Sequence, residues 1–326
     1  MGRIGCAALV VAILVVGAGA GGLLWLSEQF NKPGPLAEET TVIVPKGTCL
    51  RAIAEQLSDA GVIASPLVFR LGVRIQEAES ALRAGEYAFP AAISARDVVA
   101  MLKFGKTVVR RLTVPEGLTT AQVLELVAET PGLTGETGPV PSEGTLLPET
   151  YHFSYGDSRA AMIERMRDAM REELTALWAS RAPGLPLATP EEAVILASIV
   201  EKETAIPEER PRVAAVFVNR LRKGMLLQSD PTTIYALTDG AGPLDRPLTR
   251  KDLAIASPYN TYVSPGLPPG PIANPGRDSL AAALDPLDSD EFYFVADGNG
   301  GHAFARTLAE HERNVARWRK IKDGSR

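Results

Sequence analysis

Cysteine is nearly absent from this chain of 326 residues, which carries Cys6 and Cys49 alone. Cys6 lies inside an apolar N-terminal segment and Cys49 well beyond it, so the two offer no disulfide framework. Histidine is almost as scarce. His152, His302 and His311 stand apart, without paired spacing or cysteine partners, so the usual zinc patterns are missing and no metal or cofactor is expected. Excess basic charge is lacking too: 34 Lys and Arg face 39 Asp and Glu, for a net charge of −5 and a pI near 5.5. Phosphate binding needs a basic face, so nucleic acid is excluded as the main partner. What remains, 45% hydrophobic and 22% charged, is ordinary globular composition, and the length allows more than one domain with its own core.

Charge is missing altogether from Ile4 to Leu26, a run of about 23 residues. At about 1.5 Å per residue such a helix reaches about 34 Å, enough to cross a hydrocarbon core of about 30 Å. Arg3 precedes it, and Glu28 and Lys32 follow. Positive charge stays inside, which puts the remainder of the chain outside the cytoplasmic membrane. Ala18 and Ala20 resemble a signal-peptidase site, but the apolar run continues through Leu23, Leu24, Trp25 and Leu26, longer than a signal segment requires. A retained single-span anchor is expected.

Beyond a proline-bearing linker, "TVIVPKGTCLRAIAEQL" predicts a strand, a turn at Pro45 to Gly47 and an amphipathic helix. About seventy residues later, "TVPEGLTTAQVLELV" repeats the pattern, as a duplicated building block would. Between them lie a helix from Pro66 with Phe69, Leu71, Val73 and Ile75 as apolar positions, a strand in "LRAGEYAFP", and a helix from Ser94 to Gly105. A long charged helix is expected from Ser158 to about Arg181, and a hairpin in "EFYFVADGNGGHAF".

The sharpest chemical signal is "ILASIVEKETAI", where two glutamates close an apolar helix. Thr189, Pro190 and Glu192 predict its start as N-cap, N1 and N3, which sets its phase. At 100° per residue Glu203 falls on the stripe of Leu196, Ile199 and Val200, while Glu201 points almost the opposite way. Burial disfavours a carboxylate, so Glu203 should hold its proton near neutral pH, as a general acid does; a structural ion pair with an arginine is the plain alternative. Substitution of Glu201 should be mild. Gln228, Asp230 and Thr232 follow in "MLLQSDPTTIYAL", with Asp230 expected at a helix N-cap ahead of Pro231. "SPYNTYVSPGLPPGPIANPG" adds Tyr259, Asn260, Tyr262 and Asn274 in a proline-stiffened loop, residue types suited to stacking on sugars and bonding their hydroxyls.

On "ASIVEKET", "VFVNRL", "MLLQSDPTTIYAL", "YNTY", "GLPPGPIANPG" and "FVADGNGGHAF", in that order, the chain resembles the endolytic murein transglycosylases, the MltG or YceG-like family. The resemblance covers essentially the whole chain. It implies an α+β protein: a cytoplasmic tip (1–3), a transmembrane helix (4–26), a linker (27–40), a small LysM-like α/β subdomain (41–108) and a larger mixed α+β catalytic domain (109–326). It places the catalytic acid on Glu203, in agreement with the helical phase. Gln228, Asp230, Thr232, Tyr259, Asn260, Tyr262, Asn274 and Tyr151 become candidate contacts to substrate. Tyr151 lies in "EGTLLPETY", where Glu149 replaces the family's usual Asp. The implied activity is lytic cleavage of the MurNAc-β-1,4-GlcNAc bond in peptidoglycan glycan strands, without a cofactor. The cell inner membrane would hold the single-pass anchor, the catalytic domain would face the periplasmic side, and peptidoglycan synthases would be neighbours. The rival classes are a two-carboxylate hydrolase using Asp230 and a non-catalytic wall-binding scaffold.

Overall fold

The computed structural model describes residues 2–324 and divides into two compact units. One comprises the chain to Arg110 together with His152–Asp157; the other comprises Arg111–Tyr151 and Ser158–Arg326.

The first unit begins with α1 (Gly2–Asn31), whose side chains are not described at residues 2–8 and 10–12, Cys6 included. Among the described residues, α1 contains the one helix stretch long and apolar enough to cross a membrane, Ile13–Asn31. The helix does not stop at Leu26. It runs on to Asn31, and Leu26, Phe30 and Leu36 are buried in the unit's core. The chain then forms β1 (Thr40–Val44), α2 (Leu50–Asp59), α3 (Pro66–Ile75), β2 (Gly85–Phe89) and α4 (Ala95–Phe104). β1 and β2 pair antiparallel, Thr40 opposite Phe89 and Val44 opposite Gly85. Leu50, Ile53, Ala54 and Leu57 bury one face of α2, as their spacing requires. On α3 the spacing misleads: Val68, Phe69, Gly72 and Val73 are buried, whereas Leu71 and Ile75 are exposed.

Next come β3 (Val109–Thr113), α5 (Thr120–Glu129) and β4 (Thr150–Ser154), and β3 pairs with β4. The duplicated pattern is real at the local level. Each copy is a strand, a turn whose glycine needs positive φ (Gly47 at +82°, Gly117 at +75°) and a helix. The copies differ at the cap. Thr119 and Gln122 form a reciprocal capping box, while Cys49, in the equivalent place ahead of α2, makes no side-chain bond to the helix end. Cys49→Thr is therefore expected to stabilise the first unit by about 1 kcal/mol, read as a higher urea midpoint at unchanged slope.

From Ser158 onward the second unit holds α6 (Arg159–Ala179), α7 (Pro190–Glu203), α8 (Arg210–Lys223), α9 (Asp230–Thr238), α10 (Arg277–Leu284), the hairpin β5 (Tyr293–Ala296) and β6 (His302–Ala305), and α11 (Leu308–Gly324). α7 is the central strut. Every residue from Ala193 to Val200 is buried, with α8 and α10 packed against it. Its start is as expected: Thr189 Oγ1 accepts from the Glu192 N–H, and Pro190 opens the first turn. Gly224 closes α8 in the left-handed conformation, φ +64°.

Candidate active site

Glu203 is the last residue of α7, where the strut leaves the core and meets a cavity of about 420 Å³. Arg220, Leu227, Gln228, Asp230 and Tyr262 line that cavity, together with Phe294 and Val295 of the hairpin and His311, Val315 and Trp318 of α11. The Glu203 side chain is half-buried, open to the cavity and otherwise enclosed. Loss of water around its carboxyl raises its pKa from 4.5 to about 7, and the nearby charge of Asp230 adds to the rise. Opposing this, the Ser229 hydroxyl donates to Glu203 Oε1 at 2.5 Å, and His302 and Arg220 lend positive potential. Desolvation wins. The result is an acid poised near neutrality at the wall of a cavity.

Its surroundings are held by Arg220, a buried cation on α8. Arg220 Nε donates to the Phe292 carbonyl at 2.7 Å, and Nη1 donates to the carbonyls of Leu227 at 2.8 Å and Leu226 at 3.3 Å. One guanidinium thereby joins the hairpin to the loop that presents Gln228 and Ser229. Gln228 itself adopts φ +52°, a left-handed conformation that a non-glycine residue takes at some cost, and its N–H bonds the Thr261 carbonyl. Asp230 is exposed and accepts from the Tyr262 hydroxyl at 2.6 Å. Burial and that bond raise the phenol's pKa, so Tyr262 remains a donor. The helix cap lies one residue earlier than expected: Ser229 occupies the N-cap and Asp230 begins α9.

Gln228, Asp230 and Tyr262 thus share the cavity with Glu203, and the other five candidates do not. Thr232 is fully buried, its Oγ1 donating to the Ser229 carbonyl at 2.7 Å. Asn260 is fully buried as well: its amide donates to the carbonyls of Leu253 and Ile255, and its Oδ1 accepts from Thr233 and the Tyr262 N–H. Asn274 accepts from the Leu146 N–H and donates to the Leu118 carbonyl, Thr120 Oγ1 and Glu143 Oε1. These three support loops, with their polar atoms occupied inside the protein. The Tyr151 hydroxyl donates to the Leu147 carbonyl at 2.7 Å. Tyr259 packs against Tyr235, ring centres 4.9 Å apart, and lines a separate, larger groove of about 930 Å³ between α6, the start of α7 and Pro269–Pro271.

Glu201 also departs from expectation. It points away from Glu203, as the phase required, yet it does not reach water, because α7 is covered on that side too. Its carboxylate accepts from Arg210 Nη2 at 3.3 Å and from the Gly276 N–H at 3.0 Å, with both side chains under a tenth exposed. The two glutamates split the roles that sequence left open: Glu201 is the ion-paired one, Glu203 the one beside a cavity. Ser229 and Arg220 are the residues that sequence reasoning undervalued. Ser229 stands between two residues already singled out, and Arg220 lies within the "VFVNRL" block without a motif of its own to mark it.

A profile of the YceG-like family matches residues 42–317. The chain belongs to the YceG-like family. An endolytic murein transglycosylase of Bacillus subtilis is 31% identical over 331 residues, covering 90% of this chain and 89% of the relative. One from Streptococcus pneumoniae strain D39 is also 31% identical, over 85% of this chain and 58% of its own greater length. The crystal structure of a yceG-like protein from Listeria monocytogenes aligns with a TM-score of 0.53 at 34% identity, covering 85% of this YceG-like chain and 98% of the other.

Proposed function

We propose that this protein is an endolytic lytic transglycosylase of peptidoglycan, with Glu203 as its single catalytic acid and base. The observation that carries the reading is one carboxyl placed at the wall of a cavity, where desolvation pushes its pKa up to about 7, supported by relatives named for this activity. In the proposed step protonated Glu203 gives its proton to the glycosidic oxygen as the C1–O bond of N-acetylmuramic acid breaks. The resulting carboxylate then takes the proton of the sugar's own C6 hydroxyl as that oxygen bonds C1, leaving a 1,6-anhydro end. No water is consumed, and one group serves where glycoside hydrolases use two. General acid–base help of this kind contributes about 10² to 10⁴ in rate. Gln228 and the Asp230–Tyr262 pair are the groups we assign to sugar hydroxyls.

Asp230 in the same cavity keeps one rival alive, hydrolysis with a second carboxylate. Mass spectrometry of products from purified glycan strands separates the two. Anhydro ends, one water lighter than reducing ends, are expected; reducing ends throughout would transfer the assignment to a hydrolase. The Ser229 bond gives a further expectation. The bond favours the ionised carboxyl, so Ser229→Ala should raise the pKa of Glu203 and move the alkaline limb of the activity–pH profile to higher pH. An unmoved limb would show that this hydroxyl does not tune the acid.

For the rest of the chain, we read α1 as a single-pass anchor that keeps the enzyme beside newly made strands on the outer side of the cytoplasmic membrane, with peptidoglycan synthases as neighbours. The order β1, α2, α3, β2 with its antiparallel strand pair supports the reading of the first unit as LysM-like.

A further inference from the structure

Helix α3 has two apolar faces, of which the core of the first unit uses one. Val68, Phe69, Gly72 and Val73 are buried. On the other side Leu67, Leu71 and Ile75, spaced four residues apart, are 59%, 38% and 61% exposed. Such spacing sets three large aliphatic side chains along one edge of the helix. Arg74, exposed, and Arg70, half-buried, lie beside them on the same side of the helix.

The position of this stripe follows from α1. The Phe30 ring fills the space over Gly72, where a Cβ would come within 2.2 Å of the ring, so α1 and α3 pack directly. Leu23, Leu24 and Trp25 are 57% to 73% exposed, yet the next residue, Leu26, is already in the core of the first unit. No free tether separates the apolar run from the folded unit. Five residues of helix from Trp25 to Phe30 rise about 7.5 Å. The aliphatic edge of α3, which flanks the Gly72 face, therefore lies within about one helix diameter of the end of the membrane-crossing segment and is uncovered.

We propose that the exposed face of α3 sits in the headgroup–acyl boundary of the membrane that α1 crosses, making α3 a second, interfacial membrane contact. The proposal rests on the reading of α1 as an anchor. Leu67, Leu71 and Ile75 would enter the acyl edge while Arg70 and Arg74 reach outward to lipid phosphates, the division of labour found in helices lying in an interface. Glu77 and Glu79 are exposed just beyond the helix, and Arg74 stands 4.0 Å from Glu79. Charge attraction is therefore modest, and the aliphatic side chains supply most of the affinity. Continuity with α1 favours lipid over protein as the occupant, because the stripe is carried to the bilayer surface by the helix packed behind it. The contact would hold the first unit at a fixed height and tilt above the bilayer.

The test uses the full chain with Cys6→Ser and Cys49→Thr, labelled with the fluorophore NBD at one new cysteine and reconstituted in vesicles of phosphatidylcholine and phosphatidylglycerol. Leu14→Cys reports on the anchor, Leu71→Cys on the proposed contact, and Glu55→Cys on the exposed face of α2. With brominated acyl chains, the labels at positions 14 and 71 should lose most of their emission while the label at 55 keeps it. Quenching at 14 with none at 71 overturns the interfacial contact and leaves the anchor standing. No quenching at 14 overturns the anchor and the contact with it. Emission at 71 that changes with protein density but not with bromination would assign the stripe to a second copy of the chain and overturn the lipid proposal.

Discussion

Glu203→Gln should abolish glycan cleavage and at the same time make the protein more stable above neutral pH. The first effect follows from the assigned chemistry, since an amide can neither donate the proton to the leaving oxygen nor accept one from the C6 hydroxyl. The second follows from burial. Below about pH 4.5 Glu203 is protonated in both the folded and the unfolded chain, and its presence costs nothing. Between 4.5 and about 7 the unfolded chain releases the proton while the folded chain retains it, so folding loses stability as pH rises through that window. At about 1.4 kcal/mol per pH unit, the full loss at pH 8 is on the order of 3 kcal/mol. Glutamine carries no such cost, and its Oε1 can still accept from Ser229. Urea unfolding of wild type and variant at pH 5 and pH 8 should show the difference growing in favour of the variant at pH 8. A variant that is inactive and less stable at both pH values would mean that Glu203 holds the fold together rather than serving a site.

The second large effect concerns the other glutamate. Arg210→Met is expected to cost about 3 kcal/mol or more, because it removes the cation that balances a buried carboxylate. Arg210 lies 2.7 Å from Glu116, 3.3 Å from Glu201 and 3.5 Å from Asp278. Glu116 and Asp278 are open enough to turn to water, whereas the Glu201 side chain is 5% exposed and would keep the Gly276 N–H alone. Burial by itself would make the guanidinium easier to deprotonate; these three carboxylates reverse that and raise its pKa. Replacing the pair together, with Glu201→Leu beside Arg210→Met, should recover much of the loss, since desolvating two charges is itself expensive. A cost under about 1 kcal/mol for Arg210→Met would show the pair to be well hydrated. Glu201→Gln is accordingly a stability variant and not a silent control for Glu203→Gln.

Local chemistry made much of this molecule legible before any coordinates. The Thr189–Pro190 start of α7, the duplicated strand–turn–helix and the β5–β6 hairpin are written in caps, glycines and alternation. The phase of α7 puts Glu203 and Glu201 on different sides, and the two meet different partners, Ser229 and Arg210. What helical phase does not encode is how many sides of a helix are covered. α7 is packed nearly all round, so the residue opposite the apolar stripe met Arg210 instead of solvent. The same limit applies to α3, where apolar spacing marked Leu71 and Ile75 for a core that does not reach them. Asn260 and Asn274 show a third gap. An amide in a tight, proline-rich loop serves backbone groups as readily as sugars, and only long-range contacts such as Asn274 to Leu118 reveal which it does. Ser229 escaped notice because a hydroxyl becomes informative once its partner, 26 residues away in sequence, is known.

Every proposed step depends on the carboxyl of Glu203 keeping its proton near neutral pH. Difference infrared titration of wild type against Glu203→Gln isolates the carbonyl stretch of that one acid. A protonated-carboxyl band that disappears with a midpoint near pH 7 is the predicted result. Disappearance near pH 4.5, the ordinary value for glutamate, would contradict it and leave the site without its acid.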